Sequence, residues 1–191
     1  MQIFFDHIED KMSELRFFQS AMEGMHREYI DHTRRVLRPV DEDSRQIMTH
    51  FQYYFSAYLS AHRAVRYYII RVSNKVNDSK EWRQALDQNV VMEALHHLRD
   101  VEIHDETLNM RSMVTLRDIQ TANPKLEISD LKLDERGTRS ITRLVKYPEA
   151  LEYLVSRSIL EIARNGVAAL EGAIHEGRER GFLRPQRLSG Y

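Results

Sequence analysis

Residues 98–106 read LRDVEIHDE and set Arg99 five positions before His104 in a segment dense with charge. The two residue types suit one reaction. Histidine titrates near neutral pH and so takes and returns protons. Arginine carries a permanent charge in a planar fork that matches phosphate oxygens. Together they fit cleavage of RNA, where the ribose 2′-hydroxyl is an internal nucleophile and no metal is required. Glu93, His97, Asp100 and His104 are spaced by four, three and four residues, so on a helix they form one polar stripe. The same four are possible ligands for a divalent ion, which is a second reading of the stripe. Arg63, Arg66 and Arg71 share an earlier helical segment and are candidates for a phosphate-binding strip.

On one ideal helix Arg99 and His104 lie roughly 140° apart around the axis, so a single helix does not aim both at one small target. Two copies related by a twofold axis would each present the Arg beside the other's His, and twofold dimers assemble such composite sites readily.

The elements that must position this segment are helical by periodicity. Ile8, Met12, Leu15, Phe18, Met22, Met25, Tyr29 and Val36 predict a helix over 3–37, which Pro39 stops. A broad apolar stripe, Phe51, Tyr54, Phe55, Tyr58, Leu59, His62, Val65, Ile69 and Val72, predicts a second helix over 43–75. Asn77, Asp78 and Ser79 mark a turn. A third helix is expected over 79–110, with Trp82, Leu86, Val90, Leu95, Leu98 and Val101 inward. Residues 113–146 change character. LEISDLKL alternates apolar and polar with a slip at Asp130, MVTLRDI offers a partner strand, Asn123-Pro124 signals a turn and Gly137 another. This predicts a small antiparallel β-hairpin insertion. A last helix is expected over 147–179, with Pro148 near its start, Leu151, Leu154, Val155, Ile159, Ile162, Val167, Leu170 and Ile174 inward, and Gly177 or Gly181 at its end. RGFLRPQRLSGY, 180–191, is a basic C-terminal tail. Four amphipathic stripes bury best in an antiparallel four-helix bundle, so the expected fold is mainly α.

Composition narrows the function classes. With 191 residues the chain suits one domain, 1–191. Net charge is −1, which gives no bulk signature of a nucleic-acid or membrane partner and leaves only local patches. Cysteine is absent, which removes disulfides and thiolate metal sites and fits a cytoplasmic location. The opening MQIFFDHIEDKMSE turns charged after five residues and lacks the apolar core of a signal peptide. No apolar run approaches the roughly 20 residues of a membrane span. A di-iron bundle needs Glu-x-x-His pairs on two helices and further carboxylates on two more, and Glu23-x-x-His26 is one such pair and not a set.

The sequence resembles the HEPN superfamily of small helical bundles, marked by an Arg, usually a polar residue after it, and a His shortly beyond. Arg99-Asp100-Val101-Glu102-Ile103-His104 matches that R-x4-H pattern. FSAYLSAHRAVRYYI, residues 55–69, is similar to the helix that precedes the motif in several HEPN families, and Trp82 followed by LHHLRDVEIHDE is similar to their aromatic-to-motif segment. The resemblance spans roughly residues 45–106. It implies a cofactor-free, metal-independent endoribonuclease of the toxin or stress- and phage-defence kind, working across a homodimer on an RNA substrate. Arg99 and His104 would be the catalytic pair and Asp100 the residue that positions or tunes the site, with His97, Arg63 and Arg66 facing RNA. A cognate antitoxin or nucleotidyltransferase would be the partner protein, and no membrane is involved. One departure matters: many active members carry Asn directly after the Arg, where this chain has Asp100. An added negative charge beside a phosphate site favours the alternative, a non-catalytic HEPN-like scaffold that binds RNA, a nucleotide or a partner. A metal-dependent bundle enzyme using the Glu93/His97 stripe is the third reading.

Overall fold

The computed structural model describes residues 2–36, 41–104, 110–117, 125–133 and 145–183, with side chains over 7–35, 41–100 and 145–183. It is mainly helical, with six α-helices among the described residues: α1 Gln2–Val36, α2 Glu42–Ser73, α3 Lys80–Asp87, α4 Val90–His104, α5 Pro148–Ser156 and α6 Ile159–Glu179. No described helix is long and apolar enough to cross a membrane.

The first two helices follow the predicted stripes closely. α1 buries Ile8, Met12, Leu15, Met22 and Tyr29, at steps of three, four and seven. α2 buries Phe51, Phe55, Tyr58, Leu59, Val65, Ile69 and Val72 against them. Its start is a capping box. The Asp41 side chain accepts from the Ser44 amide at 2.8 Å, and the Asp41 amide donates to Ser44 Oγ at 2.8 Å. His32 of α1 holds the same carboxylate at 2.7 Å, tying the end of α1 to the start of α2. At the other end His7 stacks on Tyr68, with centroids 5.3 Å apart, so the two helices run antiparallel. Pro39, the expected stop, lies outside the described residues.

α6 runs antiparallel to α1 as well. Arg16 pairs with Glu171 at 2.9 Å, Glu23 with Arg164 at 2.8 Å, and Glu9 with Arg178, so residue numbers rise on one helix as they fall on the other. Such exposed pairs add little stability, but they fix direction.

Two expected helices are each divided. The segment 79–110 is not one helix: α3 ends at Asp87 and α4 begins at Val90. Asn89 causes the break, because its Oδ1 accepts from the amides of Val91 at 3.1 Å and Met92 at 3.2 Å and so starts a fresh helix. α4 ends at His104, and Met110, expected to be helical, opens a strand. The segment 147–179 is likewise two helices. Arg157 is extended, and Ser158 Oγ accepts from the Glu161 amide at 3.2 Å as the cap of α6. The break shifts the helical phase, so Val155, expected inside, is 45% exposed. Gly177 does not end α6. Gly181 does, at φ 75°, and the amides of Phe182 and Leu183 fold back onto the Gly177 carbonyl at 2.7 and 2.9 Å. The tail therefore begins docked: Leu183 is buried and Phe182 packs on Trp82, ring centroids 5.5 Å apart.

Strands β1 Met110–Arg117 and β2 Lys125–Leu133 pair antiparallel, from Met110 opposite Leu133 to Arg117 opposite Lys125. The register shifts between Ser112 and Val114, which face Leu131 and Ile128. Two residues of β2 are passed where β1 passes one, and that irregularity falls at the Ser129–Asp130 slip in the alternation. The turn signals at Asn123, Pro124 and Gly137 lie outside the described residues, as does the Val101 side chain.

Candidate functional site

α4 is placed by its apolar face. Met92, Ala94, Leu95 and Leu98 are buried, and the helix packs on α2, α5 and α6. That burial turns the face with His96, Asp100 and His97 toward partial exposure, while Arg99, also partly exposed, lies at the edge of the buried face beside Met92 and Leu95. Arg99 and His104 share one continuous helix, so their backbone positions keep the wide angular separation expected from the spacing. The His104 side chain lies outside the described residues.

Asp100 is the best-defined member of the motif. Its Oδ1 accepts from Arg63 Nη1 of α2 at 2.6 Å, and its Oδ2 lies 3.7 Å from His96 Nε2, one turn earlier on α4. Arg66, one turn further along α2, donates to Asp87 Oδ1 at the end of α3. Of the three arginines expected as a phosphate-binding strip, Arg63 and Arg66 are therefore each held by a carboxylate, and Arg71 donates to the Tyr67 hydroxyl at 2.9 Å. His97 turns elsewhere and stacks on Tyr147, centroids 3.8 Å apart, at the cap of α5. Asp100 thus faces Arg63 while His97 faces Tyr147. Among the described residues no group of three or more His, Asp or Glu side chains is arranged to hold a metal ion.

Burial sets the histidine protonation. The pKa of His96 is pushed down by desolvation and by Arg66, against which Asp100 works in the opposite direction. His97 is lowered by desolvation, with Glu93 and Asp100 opposing. Both are therefore held toward neutral imidazole. Below them sits His62, which the apolar stripe placed inside the fold with no role of its own. It is 1% exposed, and its Nε2 has no hydrogen-bond partner. Desolvation, then the neighbouring Arg66 and His96, drive its pKa down to about 3. His96 Nδ1 is also buried without a partner. These orphaned nitrogens put unsatisfied polar atoms into the α2–α4 seam.

The chain matches no protein-family model, no curated protein and no solved structure.

The remaining candidates divide between core and surface. Of the aromatic side chains on α2, Phe51, Phe55 and Tyr58 of the predicted stripe are buried, while Tyr53, outside that stripe, is 67% exposed. In the basic C-terminal stretch, Arg180 pairs with Glu176 at 2.9 Å and Arg178 with Glu9, while Arg184 and Arg187 lie outside the described residues. Sequence reading missed a cleft of about 400 Å³ between α1 and α2, lined by Glu28, Asp31, His32, Arg35, Asp43 and His50 among others. His32 of this lining also holds the capping carboxylate of Asp41, whose pKa the Ser44 amide and then His32 lower to about 2. The signal for it in the sequence is the charge at both ends of the 37–40 connection.

Proposed function

We propose that the protein is a HEPN-like antiparallel helical bundle with a β-hairpin insertion over 113–146. On this reading it acts as a cytoplasmic, homodimeric, metal-independent endoribonuclease. The observation that carries the proposal is that Arg99 and His104 lie on one continuous helix, α4, whose intervening Asp100 is neutralised by Arg63 of α2. The extra negative charge beside Arg99, which would oppose a phosphate, has its own counterion.

In the dimer the Arg99 of one copy sits beside the His104 of the other. His104 takes the proton of the ribose 2′-hydroxyl. The 2′-oxygen attacks phosphorus and the bond to the 5′-oxygen breaks. A 2′,3′-cyclic phosphate and a 5′-hydroxyl result, the latter taking its proton from an imidazolium. Arg99 stabilises charge on the phosphoryl oxygens. RNA is the substrate, no cofactor takes part, and an antitoxin or nucleotidyltransferase is the protein partner.

The test is RNA cleavage in EDTA by wild type, Arg99→Ala and His104→Ala. Cleavage by wild type alone supports the reading, and equal activity in all three sinks it.

A second reading, the non-catalytic scaffold, is favoured by the carboxylates that occupy Arg63 and Arg66. A face so compensated holds phosphate weakly. RNA, nucleotide or partner binding without any cleavage would select it.

A further inference from the structure

We propose that Arg63 and His96 form a binding site for a backbone phosphate of single-stranded nucleic acid, which Asp100 occupies as an internal stand-in for that phosphate. The inference rests on the reading of the α2–α4 face as the one that meets RNA, and extends it by an autoinhibitory contact.

The geometry is that of an occupied anion site. One carboxylate oxygen takes the Arg63 guanidinium at 2.6 Å, and the other faces His96 Nε2 at 3.7 Å. A guanidinium and an imidazole converging on two oxygens are what a phosphodiester would meet. The three side chains are partly exposed: Arg63 44%, Asp100 40% and His96 30%. Water and an incoming anion therefore reach the contact, and exposed pairs of this kind contribute little net stability, so exchange costs little. The neighbouring pair repeats the pattern. Arg66 is only 18% exposed and its partner Asp87 54%, so the second arginine is held more deeply behind a more accessible acid. α2 thus presents two arginines one turn apart, each masked by an acid from α3 or α4. Strand binding would displace Asp100, because its oxygens and those of a phosphate compete for the same donors.

Removing the stand-in should unmask the site. The probe is a fluorescent single-stranded oligodeoxynucleotide, which lacks the 2′-hydroxyl and so cannot be cut by the proposed route. Asp100→Asn should bind it about 3- to 10-fold more tightly than wild type at low salt. The dependence of affinity on salt should steepen by about one phosphate contact. Asp10→Asn, the same change of net charge on an exposed residue of α1, should give a smaller gain. Adding Arg63→Ala to Asp100→Asn should abolish the gain. A gain no larger than that of Asp10→Asn, a gain that survives Arg63→Ala, or no binding by any variant would overturn the inference. RNA cleavage is scored separately. Cleavage by wild type without the Asp100→Asn gain removes this inference alone, and the gain without any RNA cleavage removes the ribonuclease reading alone.

Discussion

Gly166 of α6 lies directly against the Tyr58 hydroxyl of α2, closer than any Cβ would allow. The same hydroxyl donates to the Ala163 carbonyl at 2.8 Å, one turn earlier on α6. Leu95 of α4 and His62 complete the contact, so three helices meet at a position with no side chain. Gly166→Ala should therefore destabilise the fold by about 2–3 kcal/mol, the usual cost of overfilling a packed core. Tyr58→Phe alone should cost about 1 kcal/mol for the lost hydrogen bond. In the double variant the two costs should not add, because removing the hydroxyl opens room for the new methyl. Urea unfolding of the four proteins measures the coupling, and strict additivity would show that the helices do not meet there.

His62 predicts loss of stability in acid. Its folded pKa, about 3, lies below the ordinary imidazole value of 6.5, so the unfolded chain binds the proton more readily. Stability is full above pH about 6.5 and falls continuously as pH drops toward 3. Between neutral pH and pH 5 the loss from this one group is about 2 kcal/mol. His96 pushes in the same direction. Chemical unfolding at a series of pH values should show this slope in wild type and a shallower one in His62→Leu. Parallel curves would mean that His62 is not sealed from water.

Asn89 predicts a local effect at the start of the motif helix. Asn89→Ala removes the acceptor for the Val91 and Met92 amides and should cost about 1 kcal/mol. Amide hydrogen exchange should speed at Val91 and Met92 while the α1–α2 amides stay protected. An Asn89→Asp variant keeps the cap and should behave as wild type.

For the ribonuclease reading, Arg99→Ala and His104→Ala should each lower the cleavage rate in EDTA by about 10²–10⁴-fold. Both variants should keep the cooperative unfolding transition of the wild type. Mixing the two inactive proteins should restore part of the activity, because a mixed dimer contains one composite site with both intact residues. No recovery on mixing would argue against a shared site.

The sequence by itself determined the class of fold and the extent of its two longest elements. The stripes of α1 and α2 recur with helical period, and burial of one face is enforced by the hydrophobic effect whatever the partner helix is. The slip at Asp130 likewise appeared as a broken alternation before any strand was paired. The division of the third and last segments was present locally, in Asn89 and Ser158. Their polar side chains read equally well as exposed helix residues until their oxygens are seen to accept backbone amides. The candidate site was legible as residue types and spacing, Arg99, Asp100 and His104, and no further. That Asp100 meets Arg63, that His97 leaves the stripe for Tyr147, and that His62 is sealed with an orphaned nitrogen were decided by tertiary structure alone. Charge pairing and desolvation depend on distances between helices far apart in sequence, and periodicity within one helix carries no information about what stands opposite it.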